Sequence, residues 1–128
     1  MADILHAIHS MVRYLVLLAG VLTVVAAVAR LRSSGPAGAD RTAMTAFVAI
    51  LDVQVLLGLV LLAAWPYYPM LIGHIAMMVL AAAVAHGGSM MARRREPARP
   101  GAPVRAAAVG LALVLVVGGI MAIQRPVL

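Results

Sequence analysis

The sequence contains no cysteine and no lysine, and it has few aromatic and few charged residues. Without a thiol the chain cannot form a disulfide, a thiolate metal site or an iron–sulfur cluster, and membrane proteins that oxidise dithiols are excluded. Of the 128 residues only 11% are charged and 4% are aromatic, whereas 65% are hydrophobic. A small soluble domain cannot bury so much Leu, Val and Ala, because much of its surface stays wet. The composition therefore excludes a soluble enzyme and a secreted domain and indicates a membrane protein.

Four apolar stretches, separated by polar or Gly/Pro-rich connections, divide the chain. They cover about residues 4–30, 42–64, 69–92 and 104–124. Each reaches the roughly 20 residues that a helix needs to cross the hydrocarbon layer of a membrane. The first stretch has no basic residue before it and is too long for a cleavable signal peptide. Because short connections place consecutive helices antiparallel and adjacent, the sequence predicts one domain, an all-α up-down bundle of four membrane-spanning helices.

Residues that favour helix starts follow three of the connections. Asp40 follows a Gly/Pro/Ser loop and is predicted to cap the N-terminus of helix two. Pro69 follows the very short connection 65–68, and Pro103 follows a polar loop. Proline is favoured in the first turn of a helix because its fixed φ suits that position and its missing N–H has no partner to lose. We therefore expect helices three and four to begin at these prolines.

The arginines predict the orientation of the bundle. Eight of the arginines fall on one side of the predicted bundle. The opposite side carries only Arg125, together with Trp65, Tyr67 and Tyr68 as an aromatic belt. The positive-inside rule then makes the arginine-rich side cytoplasmic and leaves both termini periplasmic. A nucleic-acid partner is excluded, because the basic clusters have no aromatic or polar residues between them and no water-facing scaffold. The arginine-rich side is predicted to contain Arg30, Arg32, Arg41, Arg93, Arg94, Arg95, Arg99 and Arg105.

Ionisable side chains in or next to the apolar stretches are candidates for function, since such groups are costly in hydrocarbon and usually face the bundle interior. His6, His9 and Arg13 have i, i+3, i+7 spacing and share one face of helix one. His86 has no histidine at its own depth, so its role stays open. The full set is His6, His9, Arg13, Asp52, His74 and His86.

Arg13 and Asp52 form the first match in depth. At a rise of about 1.5 Å per residue, both lie roughly 14–18 Å from the outer helix ends. We predict a buried ion pair, in which each charge makes the other tolerable. Such a pair is structural in one interpretation. In the alternative it belongs to a proton or quinone-headgroup site, or Arg13 binds a haem carboxylate.

His9 and His74 form the second match, both about 8 Å below the outer surface. A b-type haem in a helix bundle is held by two neutral imidazoles from different helices, which coordinate iron from opposite sides. Gly58, Gly118 and Gly119 fall at a similar depth and would let a flat macrocycle approach. Small residues also line ordinary membrane helix interfaces, and the histidines could equally be hydrogen-bonded interior groups. A haem requires both imidazoles to face one slot, with Gly58 or Gly118 beside it.

Three stretches of the chain resemble small four-helix bacterial membrane proteins labelled cytochrome b-like. They are LHAIHSMVRYL from residue 5, DVQVLLGLVL from residue 52 and GHIAMMVLAAAVAH from residue 73. The resemblance covers helices one to three and is loose over helix four. It implies a haem-binding electron carrier of the bacterial inner membrane, with His9, His74 and His86 in the motif positions. The family has a histidine at the position of Asp52, and this departure argues against a second haem beside His86.

Three functions are therefore weighed. The leading hypothesis is an electron carrier with one haem b, ligated by His9 and His74 with Arg13 and Gly58 nearby, that exchanges electrons with a quinol or a periplasmic carrier. The alternative is a cofactor-free accessory subunit in the lipid bilayer. Such a subunit would pack against a larger respiratory or photosynthetic complex, or form an oligomer. A proton-coupled exporter ranks last, because Arg13 stands where such proteins have a glutamate. Electron transfer or an accessory role is favoured over enzymatic activity.

Overall fold

A computed structural model describes residues 2–32, 38–64, 69 and 71–123, and this part of the chain contains four α-helices and no strand. The helices contain 30, 26, 25 and 21 residues. The shortest is about 31 Å long at 1.5 Å per residue, and all four are long and apolar enough to cross a membrane. Their bounds are α1 Ala2–Leu31, α2 Ala39–Ala64, α3 Leu71–Arg95 and α4 Ala102–Ala122.

The helices are apolar on their outward faces as well as on their packed faces. Large side chains such as Leu15, Leu56 and Val114 are exposed on the outside. The core between the helices combines larger apolar side chains with small ones, among them Ala81 and Ala112, which are fully buried. A helix that is hydrophobic all round is typical of a membrane span rather than of a surface helix of a soluble protein. The small core residues let the helix backbones approach closely.

The four helices form an antiparallel up-down bundle. Helix α1 packs on α2 and α4, and α3 packs chiefly on α4, whereas α2 and α3 meet less extensively. Within the described ranges α1 and α3 do not pack on each other, so they lie at opposite corners. The starts of α2 and α4 meet at one end, where Arg105 binds Asp40. At the other end His74, near the start of α3, contacts Gly119, near the end of α4.

We call these two ends of the bundle the arginine end and the histidine end. The arginine end contains the start of α2, the end of α3 and the connection between α3 and α4. Arg93, Arg94 and Arg95 lie in the last turn of α3 rather than in a loop, where positive charge is favourable beside the negative end of the helix dipole. Of the residues predicted on the opposite side, Trp65, Tyr67, Tyr68 and Arg125 lie outside the described part of the chain.

Two of the predicted helix starts are wrong, and one is confirmed. Asp40 is the second residue of α2 and accepts a hydrogen bond from Arg105 instead of capping the helix. Pro69 precedes α3, and its carbonyl accepts a bond of 3.2 Å from the N–H of Ile72. Pro103 lies in the first turn of α4, as predicted. The charged group of Asp40 is more valuable as a partner for a buried arginine than as a cap, because a buried cation without a partner is very costly.

Arg105 lies at the arginine end, as predicted, and it is buried there, with only 1% of the residue exposed. Its Nη1 donates to Asp40 Oδ2 at 2.9 Å and to Glu96 Oε2 at 2.9 Å, and its Nη2 donates to Glu96 Oε1 at 2.6 Å. The bonds from Arg105 lower the pKa of Glu96 below its ordinary value. A Cβ added to Gly101 would meet both Arg105 and Glu96 at 2.9 Å. The cluster therefore ties α2, α4 and the connection before α4 into a close-packed unit.

Candidate functional site

The histidine end brings His9 and His74 together across the bundle. His9 is on α1 and His74 is on α3, the two helices at opposite corners. Their ring centres are 6.4 Å apart, and the ring planes are inclined at 78° to each other. Both imidazoles line the same two open cavities, as the equal depths of the two residues predicted. The two side chains therefore approach each other across the gap between two helices that do not pack together.

A backbone carbonyl orients the ring of His74. Nδ1 of His74 lies 2.9 Å from the carbonyl oxygen of Gly119. Because a carbonyl can only accept, this nitrogen carries the proton, and the lone pair of Nε2 is left for another partner. A histidine that binds a metal commonly donates its other ring N–H to a carbonyl in this way. A Cβ at Gly119 would lie 3.6 Å from this Nδ1 and 3.1 Å from the Met77 Cβ, so a side chain there would crowd the bond.

The ring of His9 packs against α2 at Gln54 and Gly58. The buried Gln54 side chain donates from Nε2 to the backbone oxygen of His9 at 3.0 Å, and the same Nε2 lies 3.5 Å from His9 Nε2. One turn further along, a Cβ on Gly58 would lie 3.3 Å from His9 Cε1. His9 Nδ1 and Gln54 Oε1 are buried and have no hydrogen-bond partner among the described residues. The site therefore contains two buried polar atoms to which no described protein group forms a hydrogen bond.

Two cavities flank the histidines. The smaller has a volume of about 140 Å³ and extends past Ser10 and Arg13. The larger has a volume of about 400 Å³ and extends between α2 and α3, past Gly58 and apolar side chains such as Leu59. Side chains common to both cavities are His6, His9, Gln54, His74, Met78 and Ile123. The imidazoles therefore lie where a mainly apolar cavity meets a cavity that contains an arginine.

His9 and His74 are donors of the kind that a b-type haem requires. A metal–imidazole bond of about 2 Å, with the ring centre about 1.1 Å further on, places two opposed ring centres about 6 Å apart. The observed separation of 6.4 Å agrees with this spacing. No group of three or more His, Asp or Glu suited to a metal ion occurs in the described residues. Two imidazoles suit haem better than a bare ion, because the porphyrin supplies four further nitrogen ligands.

Gly118 does not take the predicted place beside the slot. A Cβ at Gly118 would meet only the methyl carbon of Met77, at 4.0 Å. Gly119 is the neighbour of His74, and Gly58 is the neighbour of His9. Consecutive residues on a helix point about 100° apart, so equal depth does not distinguish them. The prediction of a glycine beside the slot holds for Gly58 and is wrong for Gly118.

Arg13 shares the smaller cavity with His6 and His9, as the i, i+3, i+7 spacing predicted. Its Nη2 donates to the hydroxyl of Tyr14 at 2.9 Å, and its guanidinium carbon lies 4.8 Å from the centre of that ring. These contacts hold the cation over an aromatic face, which attracts positive charge. Arg13 therefore supplies positive charge beside the histidine site.

The predicted ion pair of Arg13 with Asp52 is wrong. Asp52 lies on the outer face of α2, where Nε2 of His86 donates to its two oxygens at 2.8 and 3.0 Å. Gln54 follows two residues later, about 200° around the helix, and it is this side chain that faces α1. Depth along the helix therefore identified the level on α2 that lies beside Arg13, but it did not identify the face of α2 that packs on α1.

Gln54 lies in the stretch DVQVLLGLVL that carries the resemblance, but no role was predicted for it. The signal was an uncharged polar side chain within an apolar stretch, one turn before a glycine. Buried polar side chains in membrane spans usually bond across to another helix. Here Gln54 connects α2 to the backbone of the histidine on α1.

No protein-family model, curated protein or solved structure matches the chain. The resemblance to cytochrome b-like proteins therefore stays a prediction. The function proposed below is supported by the geometry of the histidine end.

Proposed function

We propose that this chain is a small membrane electron carrier in which His9 and His74 ligate one haem b. The observation that carries the proposal is the separation of 6.4 Å between two imidazole centres on non-adjacent helices. A haem held by both His9 and His74 would offer no coordination position to a substrate. Such a haem gains and loses one electron, so the function is electron transfer rather than catalysis at the metal.

The surrounding residues support this proposal in different ways. The bond from His74 to Gly119 would keep one ligand ring in a fixed orientation and leave its Nε2 available. Gln54 ties α2 to the backbone that carries the other ligand, and Gly58 leaves room beside that ring. Arg13 in the smaller cavity would supply the positive charge that a haem carboxylate needs in a low-dielectric site.

We further propose that the bundle spans the bacterial inner membrane with the arginine end in the cytoplasm. The positive-inside rule supports this orientation, and it places the histidine end and both termini on the periplasmic side. His9 and His74 lie within about 10 Å of the starts of their helices. A haem at this level would exchange electrons with a quinol in the outer leaflet or with a periplasmic carrier.

The test is the absorption spectrum of the purified protein after expression with an adequate haem supply. We expect the reduced protein to show the sharp alpha band of a six-coordinate haem b. His9→Ala and His74→Ala should each abolish this band, whereas His86→Ala should retain it, because His86 bonds to Asp52 on the outer face. Circular dichroism establishes that each variant is helical.

Two results would overturn the haem proposal. One is a folded wild-type protein that binds no haem. The other is a band that survives the removal of His9 or His74. The cofactor-free accessory subunit would then be the better interpretation, with His74 held by Gly119 as an interior hydrogen-bonded group.

A further inference from the structure

A second polar pair lies on the outer surface of the bundle and takes no part in the histidine site. Asp52 on α2 and His86 on α3 bond to each other, yet their side chains are 48% and 54% exposed. Asp52 lies about 20 Å from the start of α2, and His86 about 14 Å from the end of α3. In a membrane-spanning bundle this depth is within the hydrocarbon layer, which is about 30 Å thick.

A carboxylate and an imidazole facing lipid at this depth would be costly. Their mutual bonds use Nε2 of His86 and one direction on each oxygen of Asp52. Further lone pairs of the carboxylate stay unused, and no described residue bonds Nδ1 of His86. The pair lies about 9–15 Å inside the apolar stretches that end near residues 42 and 92, so lipid headgroups at the membrane surface do not meet this need. A protein surface with its own polar groups would supply the hydrogen bonds that Asp52 and His86 still lack.

We propose that a second copy of this chain covers the outer face of α2 and α3 around Asp52 and His86. The pair is complementary to itself, because it offers both an imidazole donor, the Nε2–H of His86, and a carboxylate acceptor with unused lone pairs on Asp52. Two copies related by a twofold axis would place the imidazole of each beside the carboxylate of the other. Closed twofold dimers are the commonest assemblies, and their interfaces are of this self-complementary kind.

The surface around the pair permits close approach of another helix. A Cβ added to Gly87, next to His86, would meet nothing within 4 Å. Ala83, one turn earlier on α3, is exposed. Small residues on a membrane helix let a neighbouring backbone come close, which strengthens packing and hydrogen bonds between helices. The polar pair and these small residues thus mark the same face of α3.

Disulfide cross-linking in membranes tests the proposal, and the absence of native cysteine gives a clean background. Ala83→Cys and Gly87→Cys would each be oxidised with a membrane-permeant reagent. Val114→Cys on α4 is the matched control, since Val114 is 67% exposed and lies, like Ala83, about 18 Å from the arginine end. We expect covalent dimers from at least one α3 variant and none above background from the control.

A double variant tests whether the polar pair drives the association. Asp52→Leu combined with His86→Leu removes both polar groups and leaves neither partner unsatisfied. We expect its dimer to dissociate about tenfold more readily, since hydrogen bonds between membrane helices contribute modestly to their association. Subunit counting by fluorescence in lipid bilayers measures this change. An unchanged dimer in the double variant would contradict the proposal.

Three other results would also overturn the second copy as the partner. They are a strictly monomeric wild type, equal cross-linking from α3 and α4, and cross-linking of α3 to a different protein. The proposal requires membrane insertion but not haem. The reduced-haem band, recorded on the same variants, keeps the two proposals separate, because loss of the dimer would leave the band and loss of the band would leave the dimer.

Discussion

The two ends of the bundle differ in how completely their polar groups are satisfied. At the arginine end the buried Arg105 is bonded by Asp40 and Glu96, and Gly101 packs directly on this cluster. At the histidine end the same four helices leave two cavities, with His9 Nδ1 and Gln54 Oε1 unbonded by the described residues. A fully satisfied ionic cluster contributes to holding helices together, whereas an open site with unused polar groups is suited to binding. We therefore expect the arginine end to contribute more to stability, and the histidine end to contain the proposed binding site.

The largest expected effect comes from breaking the arginine end. Arg105→Met would leave Asp40 buried without its cation, and we expect a loss of about 3–5 kcal/mol in the free energy of unfolding. Arg93→Met is the matched control, because Arg93 is exposed and its side chain donates to Thr45 at the surface. Its loss should be below about 1 kcal/mol. Reversible unfolding in detergent micelles measures both, and equal effects would show that the cluster does not stabilise this end.

A smaller effect is expected from filling the histidine end. Gly58→Val would place methyl groups against the His9 ring, since even a Cβ there lies 3.3 Å from Cε1. Overpacking of roughly 1–3 kcal/mol should lower haem affinity about tenfold or more. Gly110→Val is the control, because a Cβ at Gly110 meets nothing within 4 Å. Haem titration followed by absorbance gives both affinities. A Gly58 variant that binds haem as well as the control would place the cofactor elsewhere.

The smallest effect is a pH dependence of stability at the arginine end. Arg105 holds the pKa of Glu96 below its ordinary value of 4.5 in the folded protein. The lowered pKa means that this contribution to stability is fully present above about pH 4.5. It is lost as the pH falls from there through the folded pKa. Glu96→Gln should therefore flatten the decline of the melting temperature below about pH 5. A decline as steep as that of the wild type would contradict the assignment.

The helix bounds show what apolar run length measures and what it omits. The run predicts α2 from about residue 42 and α3 to about residue 92, whereas the helices extend from Ala39 and to Arg95. Charged residues can continue a helix beyond the hydrocarbon layer, because backbone hydrogen bonding does not require apolar side chains. Hydropathy therefore reports the thickness of the membrane rather than the length of the helix.

Residue depth was predictable from the sequence, but the direction of each side chain was not. The equal depths of His9 and His74 predicted that the two residues lie together, and both rings do face the same cavities. The same reasoning failed for Arg13 and Asp52, because Asp52 lies on the outer face of α2. Position along a helix follows from counting residues, whereas rotation about its axis depends on which faces pack.

The sequence by itself determined the four apolar helices, the concentration of arginine at one end and the level of each ionisable residue within its helix. These properties follow from composition, run length and a constant rise per residue. Only the tertiary structure decided that Arg105 is buried, that Asp52 binds His86, and that Gln54 and Gly119 support the two histidines. Each of these contacts joins different helices or connections. Such contacts depend on how the helices rotate and pack, and in helices that are apolar all round no sequence period specifies that rotation.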